Sequence, residues 1–218
     1  MIKVKASHFY RVAMAQSSEA TRYYLNGVCI ARCAKGGAEL IATDGNVMLC
    51  ARDETGEADS APVIVAADKP ALAAMRKAAM VSAKTMKDAY VVITGDKLIV
   101  TDNFGTALYI QPTTCIIDGS FPDWRRVVPQ DVSQRSHGTF DAKLLSLVGE
   151  ALAPVGSRGP HTIDLFGPMG KDGQSHDRDP CYVVGQDRHA FDAFAVVMPM
   201  SRHRSGVETC ERAAWLEG

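Results

Sequence analysis

The sequence lacks an excess of either charge, a long hydrophobic run and a recognisable leader. Its 24 Lys and Arg residues nearly balance 25 Asp and Glu residues, so the formal net charge is −1. That balance argues against a protein whose whole surface is basic, as in a tight, charge-driven nucleic-acid binder. There is no apolar stretch of the roughly 20 residues that cross a bilayer, and no N-terminal signal peptide. We therefore expect a soluble, cytoplasmic protein with no membrane partner.

The sequence also lacks a recognisable metal or redox motif. Its six cysteines are Cys29, Cys33, Cys50, Cys115, Cys181 and Cys210. Cys29 and Cys33 are separated by three residues, but no second Cys or His pair stands nearby to complete a zinc site. Nothing suggests secretion, where disulfides are common. We expect reduced, mostly buried thiols, with no metal and no cofactor.

Catalytic signatures are missing as well. The glycine-containing segment 167–173 lacks the strand–loop–helix context of a phosphate loop, and no Gly-x-Ser-x-Gly elbow occurs. Asp44 and Asp102 could act as paired carboxylates, but each follows an apolar run, where Asp favours a turn. We therefore expect no catalytic residue. An enzyme with an unrecognised site remains a minor alternative.

What the sequence does contain is a repeat. The string Leu40-Ile-Ala-Thr-Asp44 is matched 58 residues later by Leu98-Ile-Val-Thr-Asp102, with a weaker copy at 183–187. Each copy is followed by a second apolar run, at 47–51, 106–110 and 194–198 respectively. An apolar run, a polar turn and a second apolar run are typical of a β-hairpin.

Each hairpin is preceded by a predicted helix. The helices are expected at 7–19, from Asp68 to about residue 83, and at 141–152, with Ser7, Asp68 and Asp141 as N-caps. Pro70 suits a first helical turn, and Leu72, Met75, Ala79 and Met80 recur at helical spacing, as do Leu144, Leu145, Val148 and Leu152. Short strands are expected before the helices, at 2–5, 63–66 and 138–140.

The sequence thus predicts an α+β fold built from three βαβββ units, with helices on one face of antiparallel sheets. Two such units would normally close one domain. The third unit would leave a sheet edge and an apolar helix stripe uncovered, and such surfaces tend to acquire a partner. We therefore expect an oligomer.

Four strings carry a family resemblance: Arg22-Tyr-Tyr-Leu-Asn-Gly27, Leu40-Ile-Ala-Thr-Asp-Gly45, Asp118-Gly-Ser-Phe-Pro-Asp-Trp-Arg-Arg126 and Val196-Val-Met-Pro-Met200. In this order they resemble the bacterial sliding clamp, the β subunit of DNA polymerase III. The resemblance implies the DNA-clamp fold and a scaffold rather than an enzyme.

The resemblance also implies a domain organisation. Residues 1–130 resemble the clamp's middle domain, residues 131–200 resemble the second half of its last domain, and residues 201–218 form a C-terminal tail. The clamp's first domain and the first half of its last domain have no counterpart. A full clamp ring contains twelve such units, so three units per chain favour a homotetramer, closed through contacts that differ from those of the family.

In the family, a short hydrophobic peptide docks in a groove between the middle and last domains. The matching positions here are Leu25, Thr43, Gly45, Met48, Pro122, Arg126, Val127, Val196, Val197, Met198, Pro199 and Met200. Flexible Met side chains suit varied apolar ligands, and Arg126 could bond a peptide carbonyl. Asn46 and Val47 replace the family's usual His and Arg, so we expect an altered ligand preference. The alternative is that these residues form an ordinary core strand and turn.

The resemblance further implies a DNA face along the helices. The candidate DNA-binding residues are Arg11, Arg22, Tyr23, Tyr24, Lys69, Arg76 and Lys77. Cations there would meet phosphates without reading sequence, and tyrosines could stack on bases. Glu19 stands where the family has a polar neutral residue, and it would repel phosphate. The alternative is a solvated helix face, the usual place for charged helical residues.

We therefore expect a processivity factor that encircles duplex DNA as an oligomeric ring and tethers partners through its groove. The expected partners are double-stranded DNA, a DNA polymerase or repair proteins that carry a hydrophobic clamp-binding peptide, and a clamp loader. The alternative is a clamp-like peptide-binding module that does not encircle DNA and competes with or redirects a full-length clamp.

Overall fold

A computed structural model describes residues 1–129, 134–135, 140–153, 162–167, 180–185 and 192–199. The described residues form three helices, α1 (Ala6–Val12), α2 (Lys69–Thr85) and α3 (Ala142–Leu152). The strands of the first two thirds of the chain are β1 (Ile2–Lys5), β2 (Val28–Arg32), β3 (Ala38–Thr43), β4 (Val47–Asp53), β5 (Val63–Val65), β6 (Tyr90–Thr94), β7 (Lys97–Thr101), β8 (Ala107–Ile110) and β9 (Ile116–Ile117). Those that follow are β10 (Gln134–Arg135), β11 (Ile163–Gly167), β12 (Cys181–Gly185) and β13 (Ala193–Val197).

Three units of one strand, one helix and three strands follow one another, as the repeat predicts. Unit 1 runs from β1 to β4, unit 2 from β5 to β8, and unit 3 from β10 to β13. The predicted hairpins are present as β3–β4, β7–β8 and β12–β13, all antiparallel. The α+β prediction is confirmed. Of the predicted strand at 138–140, residues 138–139 lie outside the described residues and Phe140 is not in a strand.

Units 1 and 2 exchange their first strands. Strand β1 pairs with β6 of unit 2, with Ile2 opposite Ile93, and β5 pairs with β2 of unit 1, with Val28 opposite Val65. The exchange produces two sheets, ordered β1-β6-β7-β8 and β10-β11-β12-β13-β4-β3-β2-β5-β9. Unit 3 differs, because its first strand β10 pairs with its own second strand β11.

Unit 3 joins unit 1 through a continuous sheet. The last strand of unit 1, β4, pairs antiparallel with the last strand of unit 3, β13, over 47–51 and 193–197. The last strand of unit 2, β8, has no second neighbour within the described residues and ends the four-stranded sheet.

The helices lie over the inner face of the sheets and cover the main core. Val4, Phe9, Leu40, Met75 and Leu98 are fully buried there. The side chains of Val148 and Leu152 on α3 join the same cluster. Alternation along β4 and β13 sends every second side chain into this core and the others to the outer face.

Helices α2 and α3 begin as predicted. The Asp68 carboxylate accepts a hydrogen bond from the backbone N–H of Ala71 at 2.7 Å, and Asp141 accepts one from Lys143 at 2.7 Å. Helix α2 ends where Met86 adopts a left-handed conformation with φ 56°. Of the four α2 residues that recur at helical spacing, Met75 and Ala79 are buried, whereas Met80 is 44% exposed.

Helix α1 departs from the prediction at both ends. Strand β1 runs directly into it, so Lys5 occupies the N-cap without a side-chain bond and Ser7 lies inside the first turn. The α-helix ends at Val12, a 3₁₀ turn continues to Ala15, and Gln16 is extended with ψ 145°. The predicted end at residue 19 was therefore too late, because the polar residues after Ala15 leave the helix.

Asp44 and Asp102 stabilise the turns of their hairpins. Oδ1 of Asp44 accepts from the N–H groups of Asn46 and Val47 at 2.8 and 3.0 Å. Oδ1 of Asp102 accepts from Phe104 and Thr106, both at 2.8 Å. Two equivalent carboxylates in one repeat thus close equivalent hairpins, as their sequence positions predict.

Candidate functional site

An apolar cluster covers the outer face of the sheet where β4 meets β13. Ile41, Met48, Cys50 and Val196 are buried there, although they point away from the helices. The aromatic side chains of Phe121, Trp124 and Phe194 pack against them, as does Val128. Because the register places Met48 opposite Val196 and Cys50 opposite Phe194, the cluster joins unit 1 to unit 3.

A cavity of about 280 Å³ opens over this cluster. It is lined by Arg22, Tyr24, Leu25, Thr43, Gly45, Asn46, Val47, Met48, Phe121, Pro122, Asp123, Trp124, Val127, Val196 and Met198. We call it the groove. Its lining is mainly apolar with polar groups at the rim, which suits an inserted hydrophobic side chain.

Eight of the twelve predicted groove residues line this cavity: Leu25, Thr43, Gly45, Met48, Pro122, Val127, Val196 and Met198. They come from four separate parts of the chain, and the β4–β13 pairing brings the last of them, Val196 and Met198, to the others. Val127 and Met198 remain 45% and 38% exposed, so they are accessible to a ligand.

The remaining four predicted groove residues do not line the cavity. Val197 is fully buried in the inner core, because it neighbours Val196 on the strand and faces the opposite side. Its assignment to the groove is therefore corrected. Arg126 is exposed in a 3₁₀ segment next to the groove, and Pro199 lies just past β13. Met200 falls outside the described residues.

Several lining residues were not predicted for this site. Phe121 and Trp124 lie within the string 118–126, where the aromatic residues were a signal that could have been read. Tyr24 and Arg22 were assigned to DNA instead. Asn46 was recognised only as a departure from the family pattern, yet it forms part of the wall.

The rim of the groove holds a closed ion pair. Nε and Nη2 of Arg22 donate to the two carboxylate oxygens of Glu19 at 2.9 and 2.7 Å. The hydrogen bond from Arg22 lowers the pKa of Glu19, and the same bond raises the pKa of Arg22. Both groups therefore stay charged at neutral pH and give the rim a fixed polar edge.

Gly45 lets the Arg22 guanidinium approach the β3–β4 turn. Its φ is +95°, a region that favours glycine, and a Cβ there would meet an Arg22 Nη at 2.7 Å. The turn is further held by Thr43, whose Oγ1 donates to the Val47 carbonyl at 2.8 Å and accepts from the Gly45 N–H at 3.0 Å. This wall of the groove is thus preorganised.

An aromatic strip extends from the groove along the outer face. The rings of Tyr182 and Phe194 stack at 4.8 Å, and Trp124 lies 6.4 Å from Phe194. The guanidinium of Arg125 sits 4.3 Å over the Trp124 ring and donates to Glu39 at 2.5 Å. These contacts fix the 121–125 loop, which separates the groove from a second cavity of about 380 Å³.

The thiols beneath this face are poorly reactive at neutral pH. Burial raises the pKa of Cys29 to about 11 and raises that of Cys50 well above its usual value. Both therefore remain protonated at neutral pH, and a protonated thiol is a poor nucleophile. Cys33 and Cys115 also carry free thiols, and Cys210 falls outside the described residues.

The predicted DNA-binding residues do not form one surface. Lys69, Arg76 and Lys77 are exposed on α2. Arg11 is only 6% exposed, and burial lowers the pKa of its guanidinium to about 10. A buried side chain cannot meet a phosphate, so we leave Arg11 out of the candidate DNA face.

The other three candidates lie at or near the groove. Arg22 and Tyr24 line its cavity. Tyr23 is 52% exposed and its ring stands edge-on to Tyr24 at 5.9 Å. In this arrangement the two tyrosines and Arg22 are closer to a groove ligand than to the cations of α2.

Within the described residues, no group of three or more His, Cys, Asp or Glu side chains is arranged to hold a metal ion. None of the helices in that part of the chain is long and apolar enough to span a membrane.

Comparisons with known proteins agree with the fold. No protein-family model matches the chain. Two curated relatives, the β sliding clamps of Caulobacter vibrioides strains NA1000/CB15N and ATCC 19089/CB 15, are each 32% identical over 152 residues. Those residues make up 68% of this chain and 36% of each relative, so the chain matches about a third of their length.

Solved sliding clamps share the fold. A DNA polymerase sliding clamp from Pseudomonas aeruginosa superposes with a TM-score of 0.57 at 16% identity, covering 91% of this chain and 65% of that one. The clamp from Bartonella birtlesii bound to griselimycin gives 0.56 at 16% identity, with coverages of 91% and 65%. A C. crescentus β clamp with PEG bound at a proposed β-motif tethering region gives 0.52 at 19%, with coverages of 92% and 65%.

The three repeated units and the groove between units 1 and 3 thus define a clamp-type scaffold. The chain is a homologue of the bacterial sliding clamp, the β subunit of DNA polymerase III, and spans part of the length of its relatives.

Proposed function

We propose that this chain is a processivity factor that tethers partner proteins to DNA through the groove. The observation that carries the proposal is the apolar cavity at the β4–β13 junction, with its preorganised β3–β4 turn on one side and the 121–125 loop on the other. A groove of this kind suits a short hydrophobic peptide from a DNA polymerase or a repair protein.

The mechanism is one of effective concentration. A polymerase bound to a scaffold that stays on DNA rebinds its primer end instead of diffusing away. Catalysis would then belong to the partner, and this chain would need no catalytic residue, metal or cofactor. We place this activity in the cytoplasm, with a clamp loader as a further partner.

The DNA contact is assigned to the exposed face of α2. Lys69, Arg76 and Lys77 lie there without ion-pair partners among the described residues. Ammonium and guanidinium groups on a helix would contact phosphates without reading sequence. A homotetramer of twelve units would complete the ring around the duplex.

A second function is favoured by the small size of this cationic face. Arg22 is paired with Glu19, and Arg11 is buried, so four of the seven predicted DNA contacts lie away from α2. A clamp-like module that binds the same peptides without encircling DNA would compete with or redirect a full-length clamp.

Peptide binding tests the groove directly. We expect a labelled hydrophobic clamp-binding peptide to bind and to change the fluorescence of Trp124, measured in a Trp215→Phe background. The double variant Val127→Glu with Met198→Glu should weaken binding by about tenfold or more, because both side chains line the cavity and are already partly exposed. Met86→Glu, at a residue that is 91% exposed and outside the groove, serves as the control. Equal binding by both variants would contradict the groove assignment.

DNA retention separates the two functions. Lys69→Glu with Lys77→Glu should weaken binding to a nicked circular duplex and reduce its salt dependence, while peptide binding stays intact. Lys35→Glu with Lys97→Glu makes the same charge change at two exposed positions, a turn and the start of β7, and should have little effect. Unchanged retention in the first variant would remove α2 from the DNA face. A protein that binds peptide but never retains DNA would favour the competing module.

A further inference from the structure

The last strands of the three units differ in whether they pair with one another. The last strand of unit 1, β4, pairs antiparallel with the last strand of unit 3, β13. The last strand of unit 2, β8, pairs on one side only, with β7. Once β4 and β13 are paired, no other last strand is free among the described residues.

The open edge of β8 offers unpaired backbone groups. The N–H of Gln111 donates to the Leu98 carbonyl of β7 at 2.9 Å. Because backbone groups alternate in direction along a strand, the N–H and C=O of Ile110 point to the opposite, open side. The register shifts between Val100 and Thr101, which leaves Leu108 as the extra residue of a β-bulge. An edge with free donors and acceptors is a template for another strand.

The side chains along this edge are those that β13 covers in unit 1. The register places Ile99 opposite Ile110, just as it places the equivalent Ile41 opposite Cys50. Met48 and Cys50, beneath β13 and the aromatic residues, are 3% and 4% exposed. Leu108 and Ile110, on β8, are 51% and 54% exposed.

More apolar surface continues from the edge toward α2. A cavity of about 640 Å³ lies between α2 and the β7–β8 hairpin. Its lining includes Ala73, Ala74, Val81 and Leu108, together with Lys77 and Asp102. The presence of both charge signs means that two copies of this face would not repel each other uniformly.

We propose that the β8 edge is where a second copy of this chain adds, strand β8 against strand β8, antiparallel about a twofold axis. We choose a βαβββ unit as the partner because the equivalent edge in unit 1, that of β4, is covered by the last strand of another such unit, β13. We take it from another copy because no other last strand is free among the described residues, and in that copy the free last strand is again β8. A twofold axis pairs a strand with itself in the antiparallel sense, which is the sense of the β4–β13 pair.

The inference rests on the proposed ring, since it names one contact through which the ring grows. A dimer formed in this way holds six units, half of the twelve that a ring contains. A tetramer would need a second contact elsewhere, and unit 3, whose first strand β10 pairs within its own unit, offers the other open end.

Light scattering of the full chain behind a sizing column tests the proposal. We expect a mass of twice 23.5 kDa, or a multiple of that dimer, at high concentration. Leu108→Lys with Ile110→Lys should weaken self-association by about 100-fold or more, because charges replace the apolar side chains that the dimer buries. The control, Ala34→Lys with Ser60→Lys, adds the same charge at exposed positions of unit 1 and should keep the wild-type mass.

A second measurement detects the strand pairing itself. Hydrogen exchange of the segment 106–111 should slow as the wild-type concentration rises, and it should not do so in the Lys double variant. Circular dichroism should show the same fold in both proteins. The double variant Leu108→Cys with Ile110→Cys should also yield an intermolecular disulfide on oxidation, since a twofold axis at residue 108, 109 or 110 places two of these cysteines opposite each other.

Three results would overturn the inference: a monomer at every concentration, an oligomer whose mass the Lys double variant leaves unchanged, or a wild-type protein whose segment 106–111 is protected only by a full-length clamp. The proposed function fails separately. Loss of peptide binding in the groove with the β8 dimer intact would refute tethering and leave the interface standing. Loss of the dimer with peptide binding intact would refute the interface and leave tethering standing.

Discussion

Strands β4 and β8 occupy the same place in two copies of one repeat, yet their surroundings differ. On β4, the outward side chains of Met48 and Cys50 are covered by β13 and by the 121–124 loop, and the result is a groove. On β8, Leu108 and Ile110 face solvent. The comparison shows that the repeat supplies an apolar strand at both places, whereas the function of each strand depends on what lies beside it.

Placing one charge on each of these two strands gives the largest expected contrast. Met48→Lys should destabilise the fold by several kcal/mol, on the order of 3, because it buries an unpaired ammonium group at a 3% exposed position. Leu108→Lys should change the stability of the dilute protein by no more than about 0.5 kcal/mol, since that position is half exposed. Denaturant unfolding at low concentration measures both. Similar losses would mean that β8 is covered in the free chain.

A second contrast concerns the charged residues of the first two helices. Helix α2 exposes its cations, whereas α1 buries His8, and burial lowers the pKa of His8 to about 4, partly opposed by Asp53. Since the unfolded pKa is about 6.5, the unfolded chain takes up a proton first as the pH falls. The folded state should therefore lose up to about 3 kcal/mol of stability between about pH 6.5 and about pH 4.

Unfolding of the wild type and of His8→Gln as a function of pH measures this effect. The variant should lack the component that belongs to His8, whatever its stability at neutral pH. A mutant profile that parallels the wild type across that interval would show that another group is responsible. The neighbouring charges of Lys5, Arg11 and Asp88 are retained in both proteins.

The smallest expected effect is the difference in stability lost when either of two helix caps is removed. Asp68 caps α2 and also accepts the Tyr109 hydroxyl at 2.8 Å, while Asp141 caps α3. Asp68→Ala should cost about 1–2 kcal/mol and Asp141→Ala about 0.5–1 kcal/mol, because only the first also releases β8 from α2. The bond to Asp68 raises the pKa of Tyr109, so the phenol should ionise at a lower pH in Asp68→Ala, which ultraviolet titration would detect. Equal costs for the two caps would show that the Tyr109 bond contributes little.

Local signals made much of the fold predictable. The Asp-Lys-Pro start of α2 and the Asp44 and Asp102 turns act over a few residues, and each appears where the sequence predicts it. The boundaries of α1 were not predictable in this way, because a strand leads into it without a capping side chain. The exchange of β1 and β5 depends on pairing between distant segments, which periodicity does not report.

The groove was only partly predictable, because it too depends on contacts between distant segments. Residues of the strings 40–45 and 118–126 meet there because three segments converge on one sheet face. Treating 196–200 as one continuous surface ignored the alternation of a strand, and Val197 was therefore placed on the wrong side. The partner of Arg22 was also missed, since the pairing with Glu19 depends on the chain leaving the helix after Ala15.

The strand exchange has a consequence for how the chain is made. Because Ile2 pairs with Ile93, strand β1 has only a single bridge, between Lys3 and Glu57, until roughly ninety more residues have been synthesised. Strand β2 likewise lacks one neighbour until β5 appears. Unit 1 can therefore not complete its strand pairing until unit 2 has been synthesised. A nascent chain halted between residues 53 and 90 would expose the apolar strand β1, and would be a natural client for a chaperone.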